Sequence, residues 1–285
     1  MAWTLTASIA EYLARAGGYL RASPVENTIE LVATEKLRAR GPAAYGGPPP
    51  LFGWWYSPAG EIAAALLHTP PYPALLSGDP AAAAPLAAEL AARGWALPGV
   101  NGPAGCVTRF AAAWQQHTGA PSTVRRRSRL FRLGELILPE PIPVGSARIA
   151  VGADTDLLAD WYAAFAAETD QHDGVARRDV IDRLGYGGLT IWEVDGLPVA
   201  MAGRARAAAG IVRVGPVYTP PGQRRRGYGG AATVAVTQAG LDDGADGVVL
   251  FTDLANPASN ALYVRLGYRP VTDRLQLAFE AASGS

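Results

Sequence analysis

The run from Val214 to Gly230, VGPVYTPPGQRRRGYGG, joins features that few folds accommodate together. Val212, Val214 and Val217 give a β-branched strand, but Pro216 has no N–H for a sheet ladder and marks a bulge or a parting of strands. Thr219, Pro220, Pro221 and Gly222 end the strand. Arg224, Gly227 and Gly229 then follow at an R-x-x-G-x-G spacing and open a helix expected to reach about Gly240. Glycines let backbone N–H groups approach an anion, the helix start adds positive partial charge, and Arg224, Arg225 and Arg226 raise the local potential. The stretch reads as a pyrophosphate cradle. It is not a P-loop, because no Gly-Lys-Ser/Thr follows. It is not a dinucleotide fingerprint either, which needs its first glycine at the strand end and an acid about 20 residues on. A surface loop with solvated arginines is the plain alternative.

Downstream, Gly247 to Asp253 (GVVLFTD) gives a buried strand, followed by Asn256 to Tyr263 and then Leu266-Gly267-Tyr268. With the cradle, this resembles the GNAT N-acetyltransferase superfamily. Its pyrophosphate motif, Q/R-x-x-G-x-G/A, is matched by Arg224, Gly227 and Gly229. Its second motif is matched by Asn256, Leu262, Tyr263, Gly267 and Tyr268. The resemblance covers about Ser146 to Phe279. It implies an α/β (mixed α+β) fold, with a mixed, mostly antiparallel sheet flanked by helices, and acetyl-coenzyme A as acyl donor without a metal. By the same resemblance, Val217, Tyr218 and Thr219 meet the acetyl and pantetheine amides. Arg224, Arg225, Arg226, Gly227, Tyr228, Gly229 and Gly230 hold the pyrophosphate, Asn256 and Ser259 meet the pantetheine, and Tyr263 protonates the departing thiolate.

Each of these residues has a structural alternative. Tyr263 can be a core tyrosine, Asn256 an N-cap for the Pro257 helix, and Arg224 and Arg226 solvated. The family often places a glutamate on the cradle strand, yet Gly210 to Tyr218 holds no carboxylate. Glu168, Asp170, His172 and Asp253 are therefore the candidate bases. The acidic run around Glu168 suits a cationic acceptor or a solvated turn equally.

At 285 residues the chain suits two domains. Two helices, three strands, helix, strand, helix, strand is expected twice over, a duplication without sequence identity; an unrelated α/β cap is the alternative. The expected division is a degenerate copy at 1–137, a proline-stiffened linker at 138–145 and the acetyl-coenzyme A-binding copy at 146–285. Where the second copy has its cradle, the first has Ser77-Gly-Asp-Pro80, an acid that repels an anion. Its expected role is to cover the acceptor side, with a small-molecule amine bound between the copies.

Zero net formal charge argues against a dedicated nucleic-acid binder. Cys106 alone excludes an internal disulfide and a cysteine-cluster metal site, and three scattered histidines make no zinc site. The N-terminus lacks signal-peptide features and no apolar run reaches membrane-spanning length, so a cytoplasmic protein, monomer or homodimer, is expected. Two other functions fit the same fold. One takes an aminoacyl group from charged tRNA, favoured by the arginine strand Arg125, Arg126, Arg127, Arg129 and Arg132. The other is a catalytically silent coenzyme A-binding regulatory module, favoured by the missing strand carboxylate.

Overall fold

The computed structural model describes residues 2–169 and 176–280. Its elements form one series repeated: strand, two helices, three strands, helix, strand, helix, strand. The first repeat runs β1 (Trp3–Thr6), α1 (Ile9–Ala22), α2 (Thr28–Arg40), β2 (Leu51–Tyr56), β3 (Ile62–His68), β4 (Ala74–Gly78), α3 (Ala83–Ala92), β5 (Gly99–Pro103), α4 (Ala104–Thr118) and β6 (Ser122–Leu133). The second runs β7 (Ser146–Ile149), α5 (Thr155–Glu168), α6 (Ala176–Leu184), β8 (Leu189–Val194), β9 (Leu197–Arg204), β10 (Ile211–Tyr218), α7 (Tyr228–Asp242), β11 (Gly247–Asp253), α8 (Pro257–Arg265) and β12 (Tyr268–Phe279).

Strand pairing repeats as well. In the first repeat β1, β2, β3 and β4 pair successively antiparallel and β4 pairs β5 in parallel. In the second, β7 to β10 are antiparallel neighbours and β10 pairs β11 in parallel. Parallel neighbours need a crossover, which α3 and α7 supply.

Two compact units divide the chain differently from the repeats. The first unit holds residues 1–130, 253–255 and 271–285; the second holds 131–252 and 256–270. The end of β12 therefore completes the first unit, pairing antiparallel with β5 from Arg274↔Pro103 to Ala278↔Gly99. Leu275 and Leu277 join the first core beside Leu66, Leu76, Leu86, Phe110 and Trp114.

The second unit buries both faces of its sheet. Val212, Val214, Ala232, Val236, Val248, Leu250 and Tyr263 form one core under α7 and α8. Leu158, Val180, Leu189, Ile191 and Met201 form the other under α5 and α6. Small residues set how closely α7 approaches. A Cβ on Gly240 would lie 3.3 Å from Val212 Cγ1, and one on Gly230 would lie 3.1 Å from Leu262 Cδ1.

Ser8 caps α1 as its sequence suggests, its Oγ accepting from Glu11 N at 3.2 Å. Helix α2 starts at Thr28, and β12 starts at Tyr268, ahead of its pairing with β5 from Arg274. Strand β1 has no counterpart in the sequence reading; its Trp3 Nε1 donates to Ala82 O at 2.8 Å, which fixes a short strand that alternation alone leaves ambiguous. No described helix is long and apolar enough to cross a membrane.

Candidate functional site

Strand β10 is where the second unit departs from a regular sheet. Its parallel ladder with β11 runs from Ile211↔Gly247 to Val214↔Leu250 and ends there, although both strands continue. On its other edge the register jumps from Val214↔Arg204 to Val217↔Ala202, so Gly215 and Pro216 stand opposite Gly203 alone. Gly215 has φ 141°, open to glycine, and Pro216 has no N–H to offer β11. Two residues opposite one reverse which face later side chains take. Val212 and Val214 pack toward α7, and past the bulge Val217 does so too. Tyr218 is thereby turned to the α5 face, its ring 6.1 Å from that of Trp161.

The loop after β10 then forms a concave run of backbone. Arg225 (φ 62°) and Gly227 (φ 83°) are both left-handed, an arrangement that turns successive N–H groups toward one side and suits an anion. Gly227 is the N-cap of α7, and no side chain caps that helix start. The first repeat is built in the opposite way. Asp79 Oδ1 accepts from Ala81 N at 2.8 Å in the turn leading into α3, and Cys106 Sγ donates to Gly78 O at 3.0 Å. A carboxylate there repels phosphate and satisfies a donor that phosphate would use.

The expected cradle residues all lie on this loop and helix start. Gly229 packs on the loop: a Cβ would sit 3.0 Å from Thr219 Oγ1. The Tyr228 ring is buried in the core, which leaves its backbone N–H as the available group. Arg225 and Arg226 are exposed. Arg224 folds back: Nε donates to Thr219 O at 2.9 Å, and Nη2 lies 2.7 Å from both oxygens of Glu168. The Tyr218 hydroxyl donates to the same carboxylate at 3.4 Å. Glu168, proposed from sequence as a base, is thus brought to the end of β10 by the bulge and the cradle together.

The remaining predicted residues divide. Asn256 caps α8, its Oδ1 accepting from Ser259 N at 3.0 Å. Asp253 is exposed and accepts from Ala255 N at 2.8 Å, a turn-forming contact. Tyr263 lies on α8 with its ring edge-on to Tyr268 at 6.1 Å. Burial pushes its phenol up to about 12, and among the described residues nothing hydrogen-bonds its hydroxyl. Asp170 and His172 lie outside the described residues. Among those described, no three His, Cys, Asp or Glu side chains gather to hold a metal.

Two polar residues on the α5–α6 face carry no sequence signal and emerge only from the packing. Arg183 Nη1 donates to Gly215 O at 2.7 Å, at the bulge itself. The Tyr162 hydroxyl is buried and has no partner among the described residues.

Residues 155–268 match the model described as the acetyltransferase (GNAT) family, wholly within the second repeat. No curated protein matches the chain. Among solved structures, an acetyltransferase from the GNAT family from Colwellia psychrerythraea is 12% identical with a TM-score of 0.59, covering 99% of this chain and 100% of that one. A GCN5-related N-acetyltransferase from Sphaerobacter thermophilus is 17% identical with a TM-score of 0.62, covering 99% and 96%. A tandem GNAT protein from the clavulanic acid biosynthesis pathway is 16% identical with a TM-score of 0.52, covering 99% of each chain. At these identities the likeness is one of fold, and it extends through both repeats.

Proposed function

We propose that the protein moves an acetyl group from acetyl-coenzyme A to the amine of a small molecule, a reading supported by the match of residues 155–268 to the acetyltransferase (GNAT) family model and by a fold shared with a tandem GNAT protein. One observation carries the reading. The β10–β11 ladder ends at Val214↔Leu250, just ahead of a left-handed, arginine-bearing helix start that no side chain caps. The pyrophosphate lies against the backbone N–H groups of Arg225 to Gly230. The pantetheine enters where the strands stop pairing and meets the backbone of Val217 and Thr219.

The amine nitrogen attacks the thioester carbonyl carbon, the carbon–sulfur bond breaks, and the thiolate takes a proton. Backbone N–H groups at the strand end stabilise the developing oxyanion. Tyr263 offers its hydroxyl to the sulfur. Glu168 receives the proton released by the amine, directly or through a water. Its pair with Arg224 is half exposed on both sides, so it is worth at most about 1 kcal/mol. A pyrophosphate, bearing more charge than one carboxylate, can draw Arg224 away and release Glu168 to the acceptor.

Calorimetric titration with acetyl-coenzyme A should give saturable one-to-one binding. Thiol release across a panel of amines should then identify acceptors. Absence of binding would sink the reading. Tight binding with no thiol release from any amine would favour a silent coenzyme A-binding module.

A further inference from the structure

Arg183 projects from α6 onto the bulge of β10. Its Nη1 donates to Gly215 O at 2.7 Å, and a Cβ on Gly203 would lie 2.9 Å from that same nitrogen. The guanidinium therefore lies directly over β9, at the residue that stands alone opposite Gly215 and Pro216. Among the described residues it forms no ion pair, and the single carbonyl leaves most of its five N–H groups uncommitted.

A second donor lies beside it. The guanidinium carbon of Arg183 is 5.9 Å from the Tyr162 ring centroid, and among the described residues the buried Tyr162 hydroxyl has no partner. Such an orphan is costly unless something accepts from it. Burial, first of all, pushes its phenol up to about 12, so it is a donor at any physiological pH.

The surroundings carry charges of both signs. Arg206 stacks on the Tyr186 ring at 4.0 Å and forms no ion pair among the described residues, whereas Arg204 is paired with Asp243. Arg183, Arg204 and Arg206 act electrostatically on Tyr186 against Asp182, and Arg183 acts on Tyr162 against Asp179. Two donors uncommitted among the described residues suit an acceptor-only group that carries negative charge, and a carboxylate is one.

We infer that Arg183 and Tyr162 form an acceptor subsite for a carboxylate, so that the preferred acceptor is an amine that also carries a carboxylate group. The subsite rests on the acetyl-transfer reading only for the word acceptor. Carboxylate binding at Arg183 is measurable without turnover.

The test titrates the protein calorimetrically with amino acids, α and ω, and with their carboxamides, in the presence of coenzyme A. The carboxylate forms should bind about ten- to a hundredfold tighter than the amides, the range of charge-assisted hydrogen bonds. Arg183→Gln should abolish that preference while leaving amide affinity unchanged. Arg183→Lys, which keeps a donor for Gly215 O, should retain part of it. Tyr162→Phe should reduce it several-fold. No carboxylate preference in the parent protein, or an equal loss for acids and amides in both Arg183 variants, overturns the subsite and returns Arg183 to pinning the bulge. Failure of coenzyme A to bind in the same cell would overturn the acetyl-transfer reading instead, while a persisting carboxylate preference would keep the subsite.

Discussion

Tyr263 shows how far a motif carries and where physical chemistry takes over. Spacing placed it on α8, but only the structure reveals a buried phenol pushed up to about 12 by burial. A free thiol lies near 8.5, so complete proton transfer to the thiolate is uphill by about 3.5 units, or about 5 kcal/mol. The hydroxyl therefore acts by donating a hydrogen bond to sulfur as charge develops, with the proton delivered late. Tyr263→Phe should lower kcat about tenfold to a hundredfold, at or below the low end of general-acid effects, with KM for acetyl-coenzyme A near its parent value. The sign of the pH effect follows from the raised value. The phenol stays protonated until well above pH 10, so any basic limb at lower pH belongs to another group and should survive the substitution. A basic limb near pH 9 that disappears in the Phe variant would overturn this assignment. Glu168 was legible as a candidate because acids cluster at the end of α5. Arg183 and Tyr162 were not, because a guanidinium over a bulge is defined by residues from α6, β9 and β10 at once.

The two crossover helices make the strongest contrast at the next scale. α7 begins at a left-handed glycine with no side-chain cap, whereas the turn leading into α3 is capped by Asp79. Both features were visible in sequence, as R-x-x-G-x-G and as Ser-Gly-Asp-Pro, because caps and anion cradles are local. The bulge was visible only as Pro216; its consequence, the turning of Tyr218 to the opposite face, depends on the register with β9. Substitutions at the two starts should separate stability from binding. Asp79→Ala removes the contact to Ala81 N and should cost about 1 kcal/mol of stability, with acetyl-coenzyme A affinity unchanged. Gly229→Val places a branched side chain against Thr219 Oγ1 and should weaken acetyl-coenzyme A at least tenfold by calorimetry. Gly18→Ala, exposed in α1 with nothing within 4 Å, should leave affinity untouched and raise stability slightly. Equal loss of affinity from Asp79→Ala and Gly229→Val would mean that both starts bind the cofactor.

The duplication is legible in sequence as an order of elements, but the assignment of the last strand is not. Alternation tells which face of β12 is buried; it does not tell which strand edge is open to receive it. The structure gives Val271 onward to the first unit, and one buried ion pair fixes it there. Arg274 Nη2 lies 3.2 Å from Glu30 Oε1, with the two side chains 2% and 1% exposed. Arg274 also donates to Asn101 Oδ1 and to Glu26 O, so it ties β12 to β5 and to the segment before α2. Removing the cation strands a carboxylate whose Oε2 has no partner among the described residues. Arg274→Met should therefore cost about 3–5 kcal/mol in denaturant unfolding, the range for breaking a buried pair from one side. Replacing both partners by apolar residues of similar size, Arg274→Met with Glu30→Leu, should recover most of that loss, because no charge is then left buried. A fragment ending at Pro270 should fare worse than either variant, since it loses Leu275 and Leu277 from the first core and the strand that pairs β5. A double variant no more stable than the single one would show that the pair contributes through geometry that apolar packing cannot replace. A fragment as stable as the full chain would show that β12 is dispensable to the first unit, and the strand assignment would then have no energetic weight.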